Sequence, residues 1–137
     1  MSNWTHVAGV IRIDDLRLDQ YSTPDFDSLI GDEFDFDDVM SGNLEGCCDN
    51  MMPSGSEGSL RKTVYVNPRR SELAAYVVTI FGDLRDHDDP EAIVAWFKEV
   101  CSKFIVRQAV ITVHNERNGA VAWTYSDSDM PRVKYLD

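Results

Sequence analysis

Four groups of residues have types and spacings that could do chemistry. The first is Gly55-Ser56-Glu57-Gly58-Ser59, followed by Arg61 and Lys62. Two glycines between serines allow successive backbone N–H groups to surround an anion, with Arg61, Lys62 or Arg85 as counter-charge. The segment lacks the lysine and the following helix of a P-loop, and it opens a strand instead. It supports the expectation of a small-ligand or nucleotide site built from Gly55, Ser56, Glu57, Gly58, Ser59, Arg61 and Arg85. The competing reading is a tight turn.

The second group is Asp83, Asp86, His87, Asp88 and Asp89. These are metal-ligand types, but the spacing has neither the sixth-position glycine nor the twelfth-position glutamate of a calcium loop. A helix start explains the acids better. Asp88 or Asp89 can cap, Pro90 suits the first turn, and Asp88 and Glu91 stand at capping-box spacing. The third is Cys101, which lies in a predicted apolar helix stripe with no histidine placed next to it by sequence, so a core thiol is expected rather than a nucleophile. The three histidines and many acids form no nucleophile, base and orienter set that sequence can place. No catalytic residue, metal ligand or cofactor is assigned, and a non-enzymatic protein is expected.

The fourth group is aromatic and acidic. Asn118-Gly119 is a hairpin signal joining 105–114 to 120–125. A two-residue turn there sets His114 opposite Trp123 and Thr112 opposite Tyr125, all on one face, joined by Trp4 and His6. Ala109, Ile111, Val113, Ala122 and Thr124 then receive the helix on the other face. His114, Trp123 and Tyr125 are thus expected to form a partner-binding or homodimer surface, unless the acidic insertion covers them. The insertion offers Asp32, Glu33, Phe34, Asp35, Phe36, Asp37 and Asp38 as a second partner-binding surface.

The elements that must position these groups follow from periodicity. Residues 4–13 alternate, with Thr5, Val7, Gly9, Ile11 and Ile13 on one face; the glycine marks a bulge or a close backbone approach. A short helix over 24–30, capped by Thr23, fits the middle of the acidic region. Residues 60–66 and 76–81 read as strands, with the connection 82–89 leading into the helix 90–104. Its apolar stripe is Ile93, Val94, Trp96, Phe97, Val100, Cys101 and Phe104. The resulting expectation is an α+β domain: a mostly antiparallel sheet of about five strands with one amphipathic helix on one face. The sheet order is open, and the strands either side of the helix could be parallel neighbours joined by a crossover.

At 137 residues, 43% hydrophobic and 27% charged, the chain suits a single soluble domain spanning 1–137, with 14–52 as an acidic insertion. Residues 14–49 hold twelve acids against one base, Arg17, and so carry a charge equal to the whole protein's −11. Such a segment repels phosphates, which argues against direct nucleic acid binding. No apolar run approaches the roughly 20 residues of a membrane span. The N-terminus has no basic-then-apolar signal, and three cysteines suggest no disulfide framework, so a cytoplasmic setting is expected.

Several stretches resemble a group of small uncharacterised proteins of tailed bacteriophages and prophages: Trp4-Thr5-His6-Val7 with Gly9, Ile11 and Arg12; Gly55-Ser56-Glu57-Gly58-Ser59-Leu60; Phe81-Gly82-Asp83-Leu84-Arg85-Asp86; and Val106-Arg107-Gln108-Ala109. The resemblance implies an accessory viral protein in a bacterial cytoplasm, and it brings no activity or site residues. Together these readings favour a phage protein that binds a host or phage protein, with inhibitor or anti-defence factor as the roles in view, over a small-ligand or nucleotide binder.

Overall fold

The alternating run at the N-terminus forms β1 (Trp4–Asp14), and the expected face is the buried one: Thr5, Val7, Ile11 and Ile13 point inward. The computed structural model describes residues 2–14, 24–33, 51–67, 74–126 and 129–136. Along these the order is β1, α1 (Phe26–Ile30), β2 (Arg61–Val66), β3 (Ala74–Arg85), α2 (Pro90–Ser102), β4 (Val106–Asn115), β5 (Gly119–Ser126) and β6 (Asp129–Leu136). The strands make one sheet, ordered β2-β3-β1-β4-β5-β6, with every neighbouring pair antiparallel. The sheet therefore has six strands rather than about five, β6 being the addition.

β3 and β4 run in the same direction, because both are antiparallel to β1. They are not neighbours. β1 lies between them, and α2 carries the chain over it. β3 is also longer than 76–81, running on through Gly82-Asp83-Leu84-Arg85 because that segment pairs with Trp4–Val7. The connection to α2 shrinks to Asp86–Asp89.

α2 begins as its sequence requires. Asp89 is the N-cap, accepting from the Ala92 N–H at 3.1 Å, and Pro90 follows it. Asp89 rather than Asp88 caps, so the Asp88–Glu91 capping box does not form. In α1 the cap is Asp25, bonded to Ser28, which starts the helix two residues later than 24.

Ile93, Val94, Phe97, Val100 and Cys101 of α2 are buried against the sheet, with Ile11, Val78, Ile80, Ile111, Val113 and Trp123 beneath or beside them. Phe26 of α1 extends this core, packing on Tyr76 and Phe104. Gly9 is the close approach rather than a bulge: a Cβ there would stand 3.1 Å from the Phe97 ring. The β1 register shifts fall instead near Arg12–Asp14.

The β4–β5 hairpin overturns the expected register. Asn115 pairs with Gly119, leaving the three-residue loop Glu116-Arg117-Asn118, and Gly119 adopts φ 87°. This is the hairpin class in which a turn is followed by a left-handed glycine. Ile111, not His114, faces Trp123, and Ala109 faces Tyr125. Trp123 is consequently 2% exposed and meets the Phe97 ring edge-on at 5.8 Å, on the helix side of the sheet. Tyr125 stacks beside it at 6.2 Å. The expected His114–Trp123–Tyr125 surface does not exist: His114 remains on the far face, while the other two belong to the core side.

Candidate functional site

The face of the sheet turned away from α2 follows from strand alternation. One row across it reads Thr63, Thr79, Val10, Val110 and Thr124, and the next Arg61, Phe81, Ala8, Thr112 and Ala122. Tyr65 and Phe81 are 56% and 49% exposed there, and Val10, Val77 and Val110 are half-buried. Among the described residues no helix lies against these rows. The face mixes small, aliphatic and aromatic residues with charged ones: Arg61 pairs beside Phe81, Arg12 pairs beside Val77, and an acid–histidine group lies at the other end of the strands.

That end holds the row Asp83, His6 and His114, set side by side by the pairing of β3, β1 and β4. His6 Nδ1 lies 2.6 Å from Asp83 Oδ1, and its Nε2 is 3.6 Å from Glu116 Oε2. The His114 ring centre is 5.9 Å from that of His6. The hydrogen bond to Asp83 raises the His6 pKa above the ordinary 6.5, with Glu116 adding to it against a desolvation effect. His6 binds its proton more tightly folded than unfolded. Its contribution to stability is complete below about 6.5 and is lost as pH rises through the folded-state value. An NMR titration should place His6 above His6 of an Asp83→Asn variant; coincident curves would refute the pairing. Both partners are well exposed, so solvent screening keeps the effect on stability small.

Trp4, His6 and His114 thus share the open face as expected, whereas Trp123 and Tyr125 do not. Tyr65 and Phe81 were missed. Phe81 alternates out of register with buried Val78 and Ile80, and that signal was available once the strand was known to be one-sided.

The Gly55–Ser59 loop lies along the end of β3. The Gly55 N–H donates to Gly58 O, Ser56 N–H to Arg85 O, and Arg85 N–H to Glu57 O. Gly58 has φ 76°, and a Cβ on it would stand 2.0 Å from Asp83 O. The glycine is required by this close approach. The expected counter-charges have carboxylate partners of their own. Arg85 pairs with Glu57, Arg61 with Glu33 at 3.1 Å, and the 9%-exposed Lys62 with Asp27 at 2.7 Å.

The acids ahead of α2 disperse to separate tasks. Asp83 meets His6, Asp86 accepts from the Ser56 hydroxyl at 3.0 Å, Asp88 accepts from Asn3 at 2.6 Å, and Asp89 caps. Beneath them is a buried polar cluster that the sequence did not suggest. Asn115 Nδ2 donates to Thr5 Oγ1 at 2.8 Å, and Thr5 Oγ1 donates to His87 O. Cys101 lies in the apolar stripe, and burial pushes its thiol up to about 12, so it stays protonated at neutral pH.

Of the insertion's candidate partner-binding residues, Asp32 and Glu33 are described, and Phe34, Asp35, Phe36, Asp37 and Asp38 lie outside the described residues. Asp32 O accepts from the Met52 N–H. Glu33 accepts from the Lys62 N–H of edge strand β2 at 3.1 Å as well as from Arg61, so it occupies a donor that an edge strand would otherwise expose. Among the described residues no helix is long and apolar enough to cross a membrane. In comparisons with known proteins, no family model, curated protein or solved structure matches the chain.

Proposed function

We propose that the protein is a non-enzymatic, phage-encoded accessory protein that acts in the bacterial cytoplasm by binding a host or phage protein. The observation that carries this reading is the open sheet face, where Tyr65 and Phe81 stand about half exposed beside Val77, Val10 and Val110. Exposed aromatic side chains on a sheet face, set here among Thr63, Thr79, Arg12 and Arg61, suit an interaction site, because aromatic and arginine side chains dominate the energetics of such contacts. An exposed face of paired strands suits a protein surface better than a small ligand, since small ligands favour concavities. The charge of residues 14–49 favours a partner with a basic rim, through steering and complementary potential.

The phage origin rests on the sequence resemblance, and a viral role as an inhibitor or anti-defence factor is consistent with a small protein whose surface is its working part. The small-ligand reading is less favoured because the Gly55 and Ser56 N–H groups and the Arg61 and Arg85 side chains already have partners within the chain.

The test is affinity capture from bacterial lysate with the full chain and two variants. Phe81→Asp alters the open face without touching the core, and is expected to weaken capture of a specific partner by at least tenfold. Removal of residues 34–50 separates the contribution of the acidic segment. Equal capture by the wild type and Phe81→Asp would exclude this face.

A further inference from the structure

β2 ends the sheet on its side, so one of its edges faces away from β3. Two hydrogen bonds show which backbone groups lie on that edge. Just past the strand, Asn67 N–H donates to Ala75 O at 2.8 Å, which puts the odd-numbered residues of β2 in the bonded pairs with β3. Lys62 N–H points the other way, to Glu33 Oε1 at 3.1 Å. Lys62, Val64 and Val66 therefore present their backbone groups outward. Among the described residues nothing bonds to the outward N–H and C=O groups of Val64 and Val66. The side chains beside them are apolar and open, Tyr65 being 56% and Val66 57% exposed. Such an edge is a template for another strand.

We infer that the strand it receives is β2 of a second copy of this chain, paired antiparallel across a two-fold axis at Tyr65. This interface is separate from the open face and does not depend on it. The pattern of donors selects both the occupant and the register. A two-fold pairing centred on Val64 calls on Lys62 N–H, which Glu33 already holds. One centred on Val66 sets Val64 against Pro68 of the other copy, and proline has no N–H to give. Centred on Tyr65, Val64 and the partner's Val66 exchange both of their hydrogen bonds, and Val66 and the partner's Val64 do the same. Every outward donor that remains open is then satisfied, and the run stops where Glu33 and Pro68 stop it.

The side chains agree with that register. Tyr65 meets the partner's Tyr65 directly, at a non-hydrogen-bonded position where opposed side chains stand closest, and exposed Val66 lies against half-buried Val64 of the other copy. Isologous contacts of this kind use the same patch twice. The contact is small, so association is reversible and depends on concentration. Each copy carries a charge of −11, so the copies repel one another and added salt should strengthen the dimer.

Sedimentation of the full chain from micromolar to millimolar concentration tests this, with a monomer–dimer equilibrium expected. Val66→Pro removes an outward donor at an edge position and should weaken the dimer by at least about tenfold. Slow hydrogen exchange at the Thr63 and Tyr65 amides, which face β3, shows that the strand is still in place. Because Tyr65 meets itself, Tyr65→Lys and Tyr65→Glu should each be monomeric alone and should associate again when mixed. Phe81→Asp, on the open face, should leave the equilibrium unchanged. A monomer throughout the range would overturn the inference and leave the edge to a strand of another protein. A dimer that Val66→Pro leaves intact, or that Phe81→Asp dissociates, would place the contact elsewhere, as would a mixture of the Lys and Glu variants that stays monomeric.

Discussion

Replacing Trp123 with alanine is expected to cost about 3–5 kcal/mol of folding stability, the range for truncating a fully buried large aromatic. The residue is 2% exposed, meets Phe97 edge-on, and stacks beside Tyr125, so its removal leaves a cavity under α2 that the neighbouring elements cannot close. Urea unfolding of the wild type and the variant measures the difference directly. On the register expected from a two-residue turn, Trp123 would be a surface ring, and surface substitutions change stability by about 0.5 kcal/mol or less. A loss that small would place Trp123 on the open face and refute the hairpin register. The same variant should leave partner capture through Phe81 intact at temperatures where it is folded, because the two residues lie on opposite faces.

The second large effect is expected at Asn115. This residue is fully buried, and its side chain joins three parts of the chain: Nδ2 donates to Thr5 Oγ1 of β1, and to His87 O ahead of α2, while Oδ1 accepts from the Arg117 and Asn118 N–H groups of the hairpin loop. Asn115→Ala strips those partners without supplying water in their place, and the expected loss is about 2–4 kcal/mol, since each buried polar group left unsatisfied costs about 1–3 kcal/mol. Hydrogen exchange should show the β5 amides losing protection more than those of β3, because the loop that sets the register has lost its acceptor. A loss below about 1 kcal/mol, with β5 and β3 equally protected, would mean that the loop holds its own geometry without Asn115.

Asn115 also explains why the register was not legible in advance. Asn118-Gly119 suggests a two-residue turn by local preference alone, and that preference is real. The side chain of Asn115, anchored from two other elements, instead holds the N–H groups of Arg117 and Asn118 and draws both into a longer loop. The pairing then shifts by an odd number of residues. Because side chains alternate with period two, an odd shift turns every β5 residue over, moving Trp123 and Tyr125 from the binding face to the core. One turn therefore changed the candidate site while leaving the strand boundaries almost untouched.

What the sequence determined by itself is the local and periodic part of this protein. The buried face of β1, the stripe and Asp89-Pro90 start of α2, the existence of the strands flanking it, and a largely antiparallel sheet with a helix on one side all follow from spacing, capping and β-propensity. These depend on residues close in the chain. Only the tertiary structure decided that β1 lies between β3 and β4, that Glu33 occupies an edge-strand N–H, that Gly58 is pressed against Asp83 O, and that Trp123 faces α2. Each of those depends on contacts between segments far apart in the chain, and no local period encodes which distant strand, carboxylate or carbonyl will be the neighbour.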